Sequence, residues 1–125
     1  MTALIDACDR LRDKFLLTLL RSAGLRIGEA LGLRHEDIDP RRGLIVVCPR
    51  RNANRARAKT WSREVPVDAS LFRLYSDYLH EEYGVLDCDY VFVNLWGEPV
   101  GHPMSYASVD RLVRRLRTRT GITFS

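Results

Sequence analysis

The 125 residues are enough for one modest domain with its own core, and leave no room for a second sizeable one. A hydrophobic share of 46% and a charged share of 29% exclude a disordered tail, and no apolar run is long enough to cross a bilayer. The formal net charge is only +4, so the arrangement of charge carries more information than its sum.

Cys8, Cys48 and Cys88 are odd in number, widely spaced and free of any Cys-x-x-Cys pairing. That pattern argues against a disulfide framework and against a zinc site, and predicts buried free thiols. Residues Met1 to Arg12 carry acids and no basic-then-apolar leader, so a cytoplasmic protein is expected.

In chain order, Leu11, Phe15 and Leu19 recur at helical spacing and predict a first helix from about Asp9 to Ser22, with Gly24 available to end it. Arg26 then opens a short second helix that stops near Gly32. The β-branched run Gly43 to Cys48, closed by Pro49, predicts a strand, and Arg57–Thr60 and Arg63–Val67 predict two more around a turn at Trp61-Ser62. Asp68 or Ser70 can cap a helix from Leu71 to Tyr83 that ends at Gly84. Tyr90 to Val93 is a brief apolar run. A last helix is expected after Ser105, with Val109, Leu112 and Leu116 inward, arginines outward and Gly121 as its stop.

Two segments carry chemistry. In Ala23-Gly24-Leu25-Arg26-Ile27-Gly28-Glu29-Ala30-Leu31, an arginine sits at a glycine-marked helix junction with an acid three residues on. Arginine is planar, stays charged and donates two parallel hydrogen bonds to phosphate oxygens, so it suits a site that stabilises a phosphodiester during displacement. Spacing of three puts Arg26 and Glu29 on one helix face, where the carboxylate can orient the guanidinium; the expectation is a partly buried Arg26 paired with Glu29 or with backbone carbonyls. An ordinary surface ion pair is the plain alternative. A helix-turn-helix is another, although its reading helix would run His35-Glu36-Asp37-Ile38-Asp39-Pro40, which is acidic and ended by proline.

The second segment is the stretch from Arg41 to Arg63, which holds Arg41, Arg42, Arg50, Arg51, Arg55, Arg57, Lys59 and Arg63 and no acid. Such a one-sided basic run is the electrostatic footprint of a nucleic-acid partner, or else a solvated arginine-rich surface.

Together the two segments resemble the tyrosine recombinases of the phage integrase family. Gly24-Leu25-Arg26 with Glu29 is similar to that family's first-arginine motif. Lys59, ahead of the turn and of Arg63-Glu64-Val65-Pro66, is similar to its hairpin lysine. The order helix, Tyr90-Val91-Phe92-Val93, Gly97-Glu98-Pro99, helix, Arg119-Thr120-Gly121-Ile122 follows the same path.

The resemblance implies an α+β fold, mostly helical, with a small three-stranded antiparallel sheet, and residues 1–125 as a partial catalytic domain. It further implies DNA strand cleavage and rejoining through a 3′-phosphotyrosine without metal, ATP or other cofactor. Arg26 and Lys59 would be catalytic, the lysine as general acid for the departing 5′ oxygen, with Glu29 supporting. Arg50, Arg51, Arg55, Arg57 and Arg63 would contact double-stranded DNA, with other recombinase protomers as further partners. His35, His80 and His102 fall outside the family's His-x-x-Arg pattern, and Tyr75, Tyr78, Tyr83, Tyr90 and Tyr106 precede the place of its nucleophile. The chain by itself is therefore expected to bind DNA weakly and not to cut it. A non-catalytic DNA-binding or regulatory module is the competing function.

Overall fold

The computed structural model describes residues 2–49 and 62–121. Five α-helices and a small sheet follow in the order α1 (Thr2–Asp6), α2 (Leu11–Ser22), α3 (Ile27–Leu31), β1 (Ile38–Asp39), β2 (Leu44–Val47), β3 (Arg63–Pro66), α4 (Ala69–Tyr78) and α5 (Tyr106–Thr120). A 3-10 turn (His35–Asp37) leads into β1, and a π-helical turn (Leu79–Tyr83) extends α4.

α2 is the central helix. It buries Phe15, Leu16, Leu17 and Leu19 in the core and packs on α4, and its far end is closed by Gly24 at φ +67°, where a side chain would be strained. Arg10, at its N-cap, has no acceptor to offer. Glu82 supplies one from the π-turn: its two carboxylate oxygens accept from the Leu11 and Arg12 amides at 2.7 and 2.8 Å. An anion at the positive end of a helix is favourable, so the π-turn both ends α4 and fixes where α2 begins.

The core is aromatic on this side. Phe15 packs on Tyr75, Tyr78 and Phe92 with ring centroids 5.6, 6.3 and 5.4 Å away. Tyr78 is fully buried and donates its hydroxyl to the Val91 carbonyl at 2.6 Å, so Val91, Phe92 and Val93 run through the core as an extended segment. Isolated bridges Arg34↔Tyr90 and Val93↔Pro103 hold that segment at its two ends.

The final helix begins as its sequence suggests, with Ser105 Oγ accepting from the Ser108 amide at 3.2 Å, and ends at Gly121 in the left-handed conformation. Val109, Leu112 and Leu116 close the core.

The sheet is antiparallel in the order β1-β2-β3, with Ile38 opposite Ile45, Ile45 opposite Val65 and Val47 opposite Arg63. Three strands were expected and three are present, but their identity differs. Ile38–Asp39 supplies the outer strand beyond β2, and the expected strand Arg57–Thr60 lies outside the described residues. A strand of two residues has too little alternation to be read from sequence. The cysteines are free but only half-buried, which corrects the expectation of buried thiols. Among the described residues no helix is long and apolar enough to cross a membrane.

Candidate active site

α3 is short, and its start is built around one carboxylate. Leu25 is buried and anchors the turn, Arg26 is extended at the N-cap, and Glu29 Oε1 accepts the Arg26 amide at 2.9 Å. An arginine side chain has no acceptor, so only the carboxylate half of a capping box operates here. The same oxygen also receives the Arg63 guanidinium at 2.9 Å. Glu29 is 8% exposed. A nearly buried carboxylate thus joins the first residue of β3 to the first turn of α3, across 34 positions of chain.

The expectation for Arg26 is corrected on one point. Arg26 and Glu29 do meet, but through the Arg26 backbone, and the Arg26 side chain is exposed. The carboxylate serves the backbone of one arginine and the side chain of another. Both the orphan helix amide and the guanidinium from β3 fall on Glu29 Oε1, and the Arg26 side chain lies in solvent.

Arg63 is half-exposed, so part of its donor fork remains available beside that ion pair. Arg42, in the turn between β1 and β2, pairs with Glu64 of β3, with both side chains half in water. Lys59, Arg50, Arg51, Arg55 and Arg57 lie outside the described residues. Lys59 stands four residues before Arg63 in sequence.

The helix-turn-helix alternative fails on geometry. Its reading helix is a three-residue 3-10 turn whose Asp37 is buried and accepts the Arg34 amide at 2.9 Å. It presents no helical face to a groove.

Three of the five tyrosines, Tyr75, Tyr78 and Tyr83, are occupied by structure, while Tyr106 is exposed. Tyr78 is bonded to Val91, and Tyr83 donates to the carbonyls of Cys88 and Tyr90 at 3.1 and 2.6 Å. Burial pushes both hydroxyls well above the ordinary tyrosine range, and that of Tyr75 up to about 12. Tyr75 lies 2.7 Å from His35 Nδ1, and burial holds that imidazole below its usual value against the opposing pull of Asp89. His35 is a half-buried histidine with a hydrogen-bond partner. His102 sits in the turn between Gly101 and Pro103, as its neighbours suggest. Among the described residues no group of His, Cys, Asp or Glu could hold a metal ion.

Glu29 holds the Arg26 backbone and the Arg63 guanidinium, while the Arg26 side chain is exposed. The chain matches the phage integrase family over residues 1–125 and belongs to that family. It is 46% identical over 125 residues to transposase A from transposon Tn554 of Staphylococcus aureus, covering 98% of this chain and 35% of that protein. It is 31% identical over 112 residues to the putative integrase/recombinase y4rF of Sinorhizobium fredii, covering 90% and 24%.

Among solved structures, its fold is that of XerA recombinase, with a TM-score of 0.74 at 22% identity, over 98% of this chain and 41% of that one. It is also that of the Tn1549 transposon integrase in complex with transposon right end DNA, with a TM-score of 0.69 at 19% identity, over 91% and 40%. The chain spans about a third of the length of the Tn554 transposases it matches.

Proposed function

We propose that these residues form part of the catalytic domain of a cytoplasmic, site-specific DNA recombinase, carrying the first arginine and the lysine of its active site. Arg26 binds and neutralises the scissile phosphate, since a guanidinium donates in parallel to two phosphate oxygens. Lys59 delivers a proton to the departing 5′ oxygen. Glu29 acts through others: it sets the backbone of Arg26 and holds Arg63, and so ties the basic segment to the arginine. The partner is double-stranded DNA, with further recombinase protomers completing the assembly, and the chemistry needs no metal or nucleotide cofactor.

The observation that carries this reading is the Glu29 bridge, which brings the family's first-arginine turn and its basic strand to one carboxylate. The tyrosines agree with it. Tyr75, Tyr78 and Tyr83 are held in protein hydrogen bonds with raised hydroxyl pKa values, which suits core residues and not nucleophiles.

The test incubates the 125-residue chain with duplex DNA and with a nicked suicide substrate. Expected are weak, salt-sensitive, largely sequence-independent binding and no denaturation-resistant protein-DNA adduct. A covalent adduct on Tyr75, Tyr78, Tyr83, Tyr90 or Tyr106 overturns the assignment of roles. Absence of binding at low salt overturns the DNA partner.

A further inference from the structure

At the other end of α2 from Arg26, between the start of that helix and the first turns of α5, lies a cleft of about 240 Å³. Its lining holds Arg10, Arg12, Arg111 and Arg115 and no carboxylate. Two of these guanidiniums share one indole: Arg10 lies 3.9 Å and Arg12 4.8 Å from the Trp96 ring centroid. Stacking on an aromatic face holds a cation in place without neutralising it. Arg12 is 7% exposed and fixed by Asp13 at 2.8 Å and by the Val93 carbonyl at 3.1 Å. Across the cleft, Arg111 reaches Ser108 Oγ at 3.3 Å in the first turn of α5.

Four acids on the neighbouring elements are already engaged. Asp13 binds Arg12, Asp9 binds Arg119 at 2.9 Å, Asp110 binds Arg114 at 2.8 Å, and Glu82 caps α2. Among the described residues, Arg10, Arg111 and Arg115 make no ion pair. Arg111 and Arg115 are also spaced four apart on one helix, a like-charge arrangement that destabilises a helix. Three guanidiniums at one cleft without an internal counter-ion call for an anion from outside, and the planar forks fit phosphate oxygens.

We propose that this cleft is a second DNA-binding site, seating a backbone phosphodiester away from Arg26. The twelve residues of α2 separate the two places by roughly 18 Å. The assignment rests on the reading of this chain as a DNA-binding part of a recombinase, and extends that reading to another face.

The test uses R111Q/R115Q. Both side chains are exposed, so the fold is expected to persist, and removal of the like-charge pair leaves thermal stability equal or slightly higher. The first readout is the slope of log affinity for a duplex against log salt, expected to flatten by about 0.9 for each phosphate that the variant no longer neutralises. The second is the rise in Tm caused by inorganic phosphate relative to chloride at equal ionic strength, expected in the parent and diminished in the variant. The difference between parent and variant removes the general stabilising effect of phosphate.

A flattened slope with a diminished phosphate effect supports the proposal. An unchanged duplex slope overturns it; if the phosphate effect is nonetheless diminished, the cleft takes a free anion or an acidic protein group instead. A slope unchanged here but altered by R26Q/R63Q overturns this inference while leaving the DNA-binding reading intact. A parent with no salt-dependent DNA binding overturns both.

Discussion

Glu29 offers the sharpest perturbation, because one side chain does two jobs. Replacing it with alanine removes the acceptor for the Arg26 amide, at a cost of about 1 kcal/mol by analogy with other helix caps. It removes an ion pair whose arginine is half in water, at most about 1 kcal/mol after solvent screening. It also removes one methylene of a side chain that is nearly buried, about 0.8 kcal/mol more. The sum is about 2–3 kcal/mol, which for a chain of this length lowers Tm by roughly 8–12 °C. Glu29→Gln keeps an oxygen for the amide and loses the charge, so it is expected to cost no more than about 1 kcal/mol. Urea unfolding of E29A, R63A and the double variant supplies the decisive comparison. The double variant is expected to fall short of the sum of the singles by about 0.5–1 kcal/mol. Strict additivity, or an E29A cost under about 0.5 kcal/mol, refutes the bridge between α3 and β3.

Further outcomes follow from the same geometry. Arg55→Ala and Arg57→Ala are each expected to reduce the slope of log affinity against log salt by about 0.9, and an unchanged slope assigns those arginines to a solvated surface. His35 is held below its ordinary value of 6.5, so the unfolded chain binds more protons than the folded one just below that value. Stability is therefore complete above about pH 6.5 and declines as pH falls toward the folded pKa. Tm measured across this range should lose part of that slope in His35→Gln, and an unaltered slope removes His35 as its source. Burial raises the Cys8 thiol to about 11, so native Cys8 should alkylate slowly at about pH 8 and rapidly once unfolded. Fast labelling of the native chain at Cys8 contradicts its half-buried placement.

Much of the fold is written locally. Gly24, Asp68, Ser105 and Gly121 stand where helices begin or end, and each does so for a reason that acts within a few residues of itself: a positive φ or a side-chain acceptor for an orphan amide. The extended core segment at Val91–Val93 announces itself as a short apolar run. Elements too short to show a period are not legible, which is why α1 and β1 go unread.

The candidate site divides along the same line. The motif around Arg26 and Glu29 is local, and its spacing correctly brings the two residues together. Which atoms meet is decided from elsewhere. Arg63 arrives from β3 on the oxygen that already holds the Arg26 amide, and the Arg26 side chain lies outside. The cap that Glu82 places on α2 comes from about 70 positions away, and the Trp96 indole under Arg10 and Arg12 comes from more than 80. Neither has a sequence pattern to reveal it. The exposure of Arg26 is nonetheless what its proposed task needs, since a guanidinium already satisfied inside the protein has little left to offer a phosphate.

The most direct measurement is a crystal structure of the chain bound to a short DNA duplex. Expected there is the Arg26 guanidinium on a backbone phosphate with nitrogen-oxygen distances of about 2.7–2.9 Å, Glu29 still holding the Arg26 amide and Arg63, and Lys59 beside the same phosphate. A complex in which the duplex is bound while Arg26 faces solvent and Lys59 lies on a different phosphate contradicts the proposed roles.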